Sequence, residues 1–163
     1  MTPSKLDPFD VKILSLLQQN GRISNLELSE TVGLSPSPCL RRVRQLERAG
    51  YISGYEAHIN LRMLGEVLTV FAEITLQDHK VHDFQRFEST IRSISEITEC
   101  HFVSGGYDYL LKFMTRGMSH YQELFEKLLD SGVGIEKYFS YVVIKTVFVK
   151  NGYPIEASAD VET

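Results

Sequence analysis

A chain of 163 residues has room for one large domain or two small ones, each with its own core. With 43% apolar and 23% charged residues, no apolar run near the ~20 residues that span a bilayer and no apolar signal segment behind Met1, a cytoplasmic globular protein is expected and a membrane role excluded. The net charge of −4 argues against a nucleic-acid partner until its spread is read: residues 1–60 carry seven Lys/Arg against six Asp/Glu, residues 61–163 ten against fifteen.

Asp7 suits a helix N-cap with Pro8 at the first helical position, and Phe9, Ile13, Leu16 and Leu17 recur at helical spacing until Asn20-Gly21. Ser24 and Glu27 make a capping-box pattern for a second helix that buries Leu28 and Val32 and stops at Gly33. Only Gly33, Leu34 and Ser35 separate it from a third, so the pair reads as a helix-turn-helix with Leu34 plugging a three-helix core. The plainer alternative is a helical hairpin without a nucleic-acid role.

The third helix, Ser35 to Gly50, carries the signal. Ser35 is placed as N-cap, Pro36 at the first position and Gly50 at the stop. Cys39, Leu40, Val43 and Leu46 share one side, whereas Ser37, Arg41, Arg44 and Arg48 cluster opposite, with Gln45 beside them and Arg42 toward the flank. Arginine can grip guanine bidentately, glutamine can pair with adenine, and either can fall back on phosphate, because both present several fixed hydrogen-bonding groups. Ser37, Arg41 and Arg44 are expected in a DNA groove, and Arg48 or Arg42 on the backbone. An ion pair of Arg48 with Glu47 is the competing reading. Arg22, Ser24 and Asn25, at the start of the preceding helix, suit phosphate, where orphan N–H groups favour an anion.

Tyr51, Ile52, Tyr55 and Ile59 favour a strand leaving this domain, and Leu61–Gly65 a linking turn. The expected division is 1–60 for DNA binding with its hinge strand, 61–150 for sensing and oligomerisation, and 151–163 for a flexible tail. From Val67 the order is strand (67–76), helix (81–94), strands (97–103 and 107–114), helix (118–129) and a last strand (138–149). A βαββαβ order with two amphipathic helices implies an α+β fold whose antiparallel sheet has helices on one side. The apolar run Phe139–Val149 has no solvated side, which predicts self-association into a homodimer.

Ser104-Gly105-Gly106 separates the middle strands. Glycine there lets backbone N–H groups approach a carboxylate, and Asp108 can receive an ammonium group; a plain turn with Asp108 as its stabiliser is the competing reading. His79 and His82 have a metal-like spacing but no companion ligands, and Cys100 and His101 point to opposite faces of a strand. No metal, cofactor or catalytic motif is read, Cys39 is assigned to the core, and two unlike cysteines imply a reducing compartment.

The runs Gly21-Arg-Ile-Ser-Asn25, Leu28–Leu40 and Arg42–Ile52 resemble the helix-turn-helix of the leucine-responsive/AsnC (Lrp/AsnC) regulators. Glu99–Leu111 and Tyr141-Val-Val143 resemble the regulatory domain of that family, and the likeness spans roughly residues 6–150. It implies a winged-helix-like N-terminal domain, a ferredoxin-like regulatory domain, double-stranded operator DNA as partner, and dimers assembling to tetramers or octamers. It also implies a small effector, usually an amino acid, and carries over Phe102, Met118, Tyr141, Val142 and Val143 to its pocket or to the assembly contacts. Ser104, Gly105, Gly106, Tyr107 and Asp108 complete the expected effector set, although family members often carry a polar or acidic residue where this chain has Gly106. Sirohaem decarboxylases resemble the same family and supply the enzyme alternative, against which the arginine face of the third helix argues.

Overall fold

The computed structural model describes residues 6–150 and 152–155, apart from the side chain of Arg62. Two compact units emerge, one made of the described residues up to His58 together with those from Phe148 on, the other of Ile59–Val147.

In the first unit, α1 (Pro8–Gln19), α2 (Asn25–Val32) and α3 (Pro36–Arg48) surround a core of Ile13, Leu14, Leu28, Val32, Cys39, Val43 and Leu46. Leu34 is packed against it, as the plug the sequence suggests. Asp7 and Asp10 form a complete capping box on α1, each side chain accepting the other's backbone N–H. On α2 the box is half made: Ser24 Oγ accepts from Glu27 N at 3.1 Å. Ser35 occupies the N-cap position of α3, but its hydroxyl makes no capping bond. The C-terminus of α3 closes with Gly50 N–H on the Glu47 carbonyl and Tyr51 N–H on that of Leu46, the paired pattern that satisfies a helix end.

Three expectations change here. Leu40 is exposed, so the buried side of α3 is Cys39, Val43 and Leu46 alone. Phe9 is exposed too, stacked under the Arg42 guanidinium at 5.4 Å, and Val11 takes its place among the buried residues of α1. No strand forms between Tyr51 and Asn60. Tyr51 and Ile52 pack on the helical core, Tyr55 and Ile59 remain exposed, and no neighbouring strand offers the N–H and C=O groups that a ladder needs.

Residues 152–155 of the tail are described. Gln18 donates from Nε2 to the Tyr153 carbonyl at 2.7 Å and accepts the Tyr153 N–H at 3.1 Å, while Ile155 packs on the helical core. A Cβ on Gly152 would fall 2.7 Å from Gln18 Nε2, so any larger residue there would make the Gln18 side chain shift. The rest of the expected flexible tail lies outside the described residues.

The second unit begins with a single 3-10 turn, Leu61–Met63, followed by β1 (Leu68–Leu76), α4 (Val81–Arg92), β2 (Ile97–Phe102), β3 (Tyr109–Thr115), α5 (Met118–Asp130) and β4 (Ile135–Val142). The strands lie in the order β2-β3-β1-β4, all antiparallel, which is the expected ferredoxin-like arrangement. Val70, Ala72, Ile74 and Leu76 of β1 and Tyr109, Leu111 and Phe113 of β3 pack under Phe87 and Ile91 of α4 and Tyr121, Phe125 and Leu128 of α5. The alternating burial of β1 and β3 is the period-2 signature of a sheet covered on one face.

The last strand is earlier and shorter than the apolar run implies. β1 begins at Leu68, so ladder pairing stops once Val143 N–H has reached the Thr69 carbonyl, and among the described residues the strand does not continue into Ile144. The uncovered face is also mixed: Phe71, Leu110, Met114, Phe139 and Tyr141 share it with Glu73, Lys112 and Lys137.

Arg42 Nη1 bridges Asp7 at 2.6 Å and Asp10 at 2.8 Å, joining the cap of α1 to the middle of α3. Partial burial pushes the Asp7 carboxyl up, but the Asp10 N–H and the Arg42 guanidinium outweigh it and hold the group below its usual 3.8. A lowered folded-state value means that this contribution is complete above about pH 4 and lost as pH falls through the lowered value. Arg42→Ala should destabilise the first unit by about 1 kcal/mol at neutral pH, a partly exposed but bridging pair. Asp7→Asn, which keeps a capping oxygen, should flatten the acid limb of the melting-temperature profile measured by circular dichroism.

Candidate DNA-reading face and effector turn

The outward side of α3 presents Ser37, Leu40, Arg41, Arg44, Gln45 and Arg48, all exposed. Among the described residues the guanidinium groups of Arg41 and Arg44 have no hydrogen-bond or ion-pair partner. Arg48 Nε donates to the Arg44 carbonyl at 3.1 Å, and Glu47 accepts from the Tyr55 hydroxyl at 3.0 Å, so the competing Arg48–Glu47 pair is not formed. Leu40, expected on the core side, belongs to this face. The signal was present, since it is three residues after Ser37 and four before Arg44, the spacings that put side chains side by side on a helix.

Arg42 is corrected. Its expected reach to a phosphate is taken up by Asp7 and Asp10, and its side chain is only 28% exposed. At the start of α2, Arg22 and Ser24 are exposed, whereas Asn25 is half-buried and donates from Nδ2 to the Pro36 carbonyl at 3.0 Å. That bond ties the first turn of α2 to the first turn of α3 and gives Asn25 a positioning role. Ser35 is exposed beside it.

The effector turn is held by backbone and by Asp108. Val103 N–H reaches the Asp108 carbonyl at 2.9 Å, and Asp108 N–H reaches that of Ile74 at 2.9 Å. Gly105 has φ = 150°, a conformation that side chains resist, and open space beside it. The Asp108 carboxylate accepts the Leu76 N–H at 2.8 Å and lies 3.1 Å from His79 Nε2. The turn-stabilising role weighed in the sequence is therefore present, and an ammonium group would have to share this carboxylate with two existing partners.

The expected effector residues do not form one pocket in a single chain. Phe102, Ser104, Gly105, Gly106, Tyr107 and Asp108 gather where Ile74 faces Tyr109, at one end of the sheet. Met118, Tyr141, Val142 and Val143 belong to the other end, where Leu68 faces Thr115 and Val70 faces Val142. Four residues of strand, about 13 Å, separate the two sets. A groove of about 470 Å³ in the second unit shares only Phe102 with the expected list, and one of about 570 Å³ shares only Met118.

Comparison with known proteins matches this architecture to two family descriptions: a winged helix-turn-helix DNA-binding domain over residues 6–53 and an Lrp/AsnC ligand binding domain over residues 69–152. The leucine-responsive regulatory protein of Klebsiella pneumoniae is 48% identical over 90% of this chain and 89% of its own length. The chain belongs to the Lrp/AsnC family of transcriptional regulators. The transcriptional regulatory protein DoeX of Halomonas elongata is 47% identical, covering 88% of this chain and 90% of that protein. A solved transcriptional regulator of Neisseria meningitidis in complex with L-Met superposes with a TM-score of 0.89 at 34% identity, over 94% of this chain and 99% of that one. As an Lrp/AsnC member the chain joins a DNA-binding domain to a ligand-binding domain, and its relatives are named as regulators, which leaves the decarboxylase alternative without support.

Asp108→Ala leaves the Leu76 N–H without an acceptor and should lower unfolding stability by about 1–2 kcal/mol, because a deprived buried donor loses more than one bond's net worth. Asp108→Asn, which retains an acceptor oxygen, should lose less when both are compared by urea denaturation.

Proposed function

We propose that this Lrp/AsnC regulator reads double-stranded operator DNA with Ser37, Leu40, Arg41, Arg44 and Gln45 of α3, and that an amino acid alters its assembly or affinity. The observation that carries the reading is the outward face of α3: Arg41 and Arg44, unpaired among the described residues, stand to one side of an exposed leucine on a helix whose opposite side packs in the core. Arginine offers bidentate contact to guanine, and leucine an apolar surface for a thymine methyl group. Arg48, Arg22, Ser24 and the N–H groups opening α2 suit phosphate. A DNA-binding regulator acts where the chromosome is, which in the bacteria that carry its relatives is the cytoplasm.

A single α3 offers a small footprint, so the working unit is a homodimer. Its partner surface is the uncovered face of the sheet, where Phe71, Leu110, Met114, Phe139 and Tyr141 give apolar area and Glu73, Lys112 and Lys137 give charges that a second copy can answer. Two effector-related sets of residues at opposite ends of one sheet fit a site completed between copies, with further assembly to a tetramer or octamer. The amino-acid class is supported by the Neisseria meningitidis relative, whose structure holds L-Met.

Arg41→Ala and Arg44→Ala should each weaken operator binding, measured by fluorescence anisotropy, and a residue that contacts phosphate should lower the salt slope by about one when removed. Arg42→Ala should instead lower the melting temperature. Unchanged DNA affinity in the first two variants would reject the face. Phe139→Glu should shift the sedimentation profile toward monomer; an unaltered profile would reject the sheet as the dimer surface.

A further inference from the structure

β2 is an edge strand whose helix-side residues are left uncovered. Cys100 faces Leu111 and Phe102 faces Tyr109 in the ladder, and both partners are buried, yet Cys100 and Phe102 are exposed. Between this strand and α4 runs the groove of about 470 Å³, with Ile91, Ile97, Cys100 and Phe102 on its apolar side. That size is within the range of small-molecule sites, roughly 300–1,000 Å³.

Its charged margin is unusual. Glu88 and Arg92 stand one helical turn apart on α4, a spacing at which opposite charges ordinarily pair. Here they do not. Glu88 Oε1 instead accepts the Tyr109 hydroxyl at 2.8 Å, and the Arg92 guanidinium has no hydrogen-bond or ion-pair partner among the described residues. The groove thus offers an anion with spare acceptor capacity, a free cation about 6 Å along the helix and an apolar floor.

The geometry points to this groove as a binding site for a zwitterionic α-amino acid with an apolar side chain. Its carboxylate meets Arg92, its ammonium group meets Glu88, and its side chain lies on Ile91, Ile97 and Phe102. This rests on the reading of the chain as an amino-acid-responsive regulator and adds, within one copy, a second site distinct from the one completed between copies around the Gly105–Asp108 turn. Alternating charge over an apolar floor matches a zwitterion better than a second copy of the chain, which would bring no obligatory pair of opposite charges at this spacing.

Cys100 is a reporter already in place, since it is exposed in the groove while Cys39 is wholly buried. The full-length protein is titrated with each L-amino acid while Cys100 labelling by an aromatic disulfide reagent and the melting temperature are both followed. An apolar L-amino acid should raise the melting temperature and, at ten times its Kd, slow labelling about tenfold, because only the unoccupied fraction reacts. Arg92→Gln should abolish the protection, Glu88→Gln should weaken it while keeping an acceptor for Tyr109, and Asp108→Asn should leave it intact. A melting shift without Cys100 protection, or protection that survives Arg92→Gln, overturns the groove and leaves the effector reading standing. Protection that grows with protein concentration alone assigns the groove to self-association and overturns the proposal. No melting shift with any amino acid overturns both.

Discussion

The guanidinium of Arg42 sits between two carboxylates that are themselves a helix cap, and it fastens the start of α1 to the middle of α3. Cys39, Val43 and Leu46 hold one side of the helix in the core. Arg42, bonded to Asp7 and Asp10 and stacked on Phe9, adds a polar tie to the flank of that side. With that side chain held, Arg41 and Arg44 must point away. Asn25, bonded to the Pro36 carbonyl, does the same for the first turn. Structural and outward-facing positions are thus divided between arginines that are adjacent in sequence.

That division was only partly legible in the sequence. Helical spacing separates Cys39, Val43 and Leu46 from Arg41, Arg44 and Arg48, and it correctly places the three helices and the βαββαβ order. Spacing within one helix cannot show that Arg42 meets Asp7, 35 residues earlier, because that contact depends on the packing of two helices. Leu40 was misplaced for a related reason: its apolar character argued for the core, while its position between Ser37 and Arg44 argued for the outside, and position decided. Apolar, β-branched runs also over-predicted strands at 51–60 and 143–149. Residue type records a preference for extension, but a strand exists only where another offers hydrogen bonds, and β1 does not start until Leu68.

The effector region teaches the same lesson at larger scale. Gly105 and Asp108 were recognisable from turn chemistry, and the turn is where they imply. What residue spacing could not give is the strand register, which puts Tyr141 and Val142 at the far end of the sheet from that turn. It also could not show that β2, as an edge strand, leaves Cys100 and Phe102 open beside Glu88 and Arg92. A covered sheet with uncovered edges has more binding surface than its core pattern suggests.

The chain leaves its first unit at His58 and returns to it at Phe148, so that Ile155 lies against the same helical core as Leu14 and Val32. One piece of the DNA-binding unit is therefore the last part of it to be synthesised. During translation the three helices leave the ribosome first, and Gln18 must wait for Tyr153 until the entire second unit has followed. A chain cut short in the sheet would therefore yield the three helices without that closing contact.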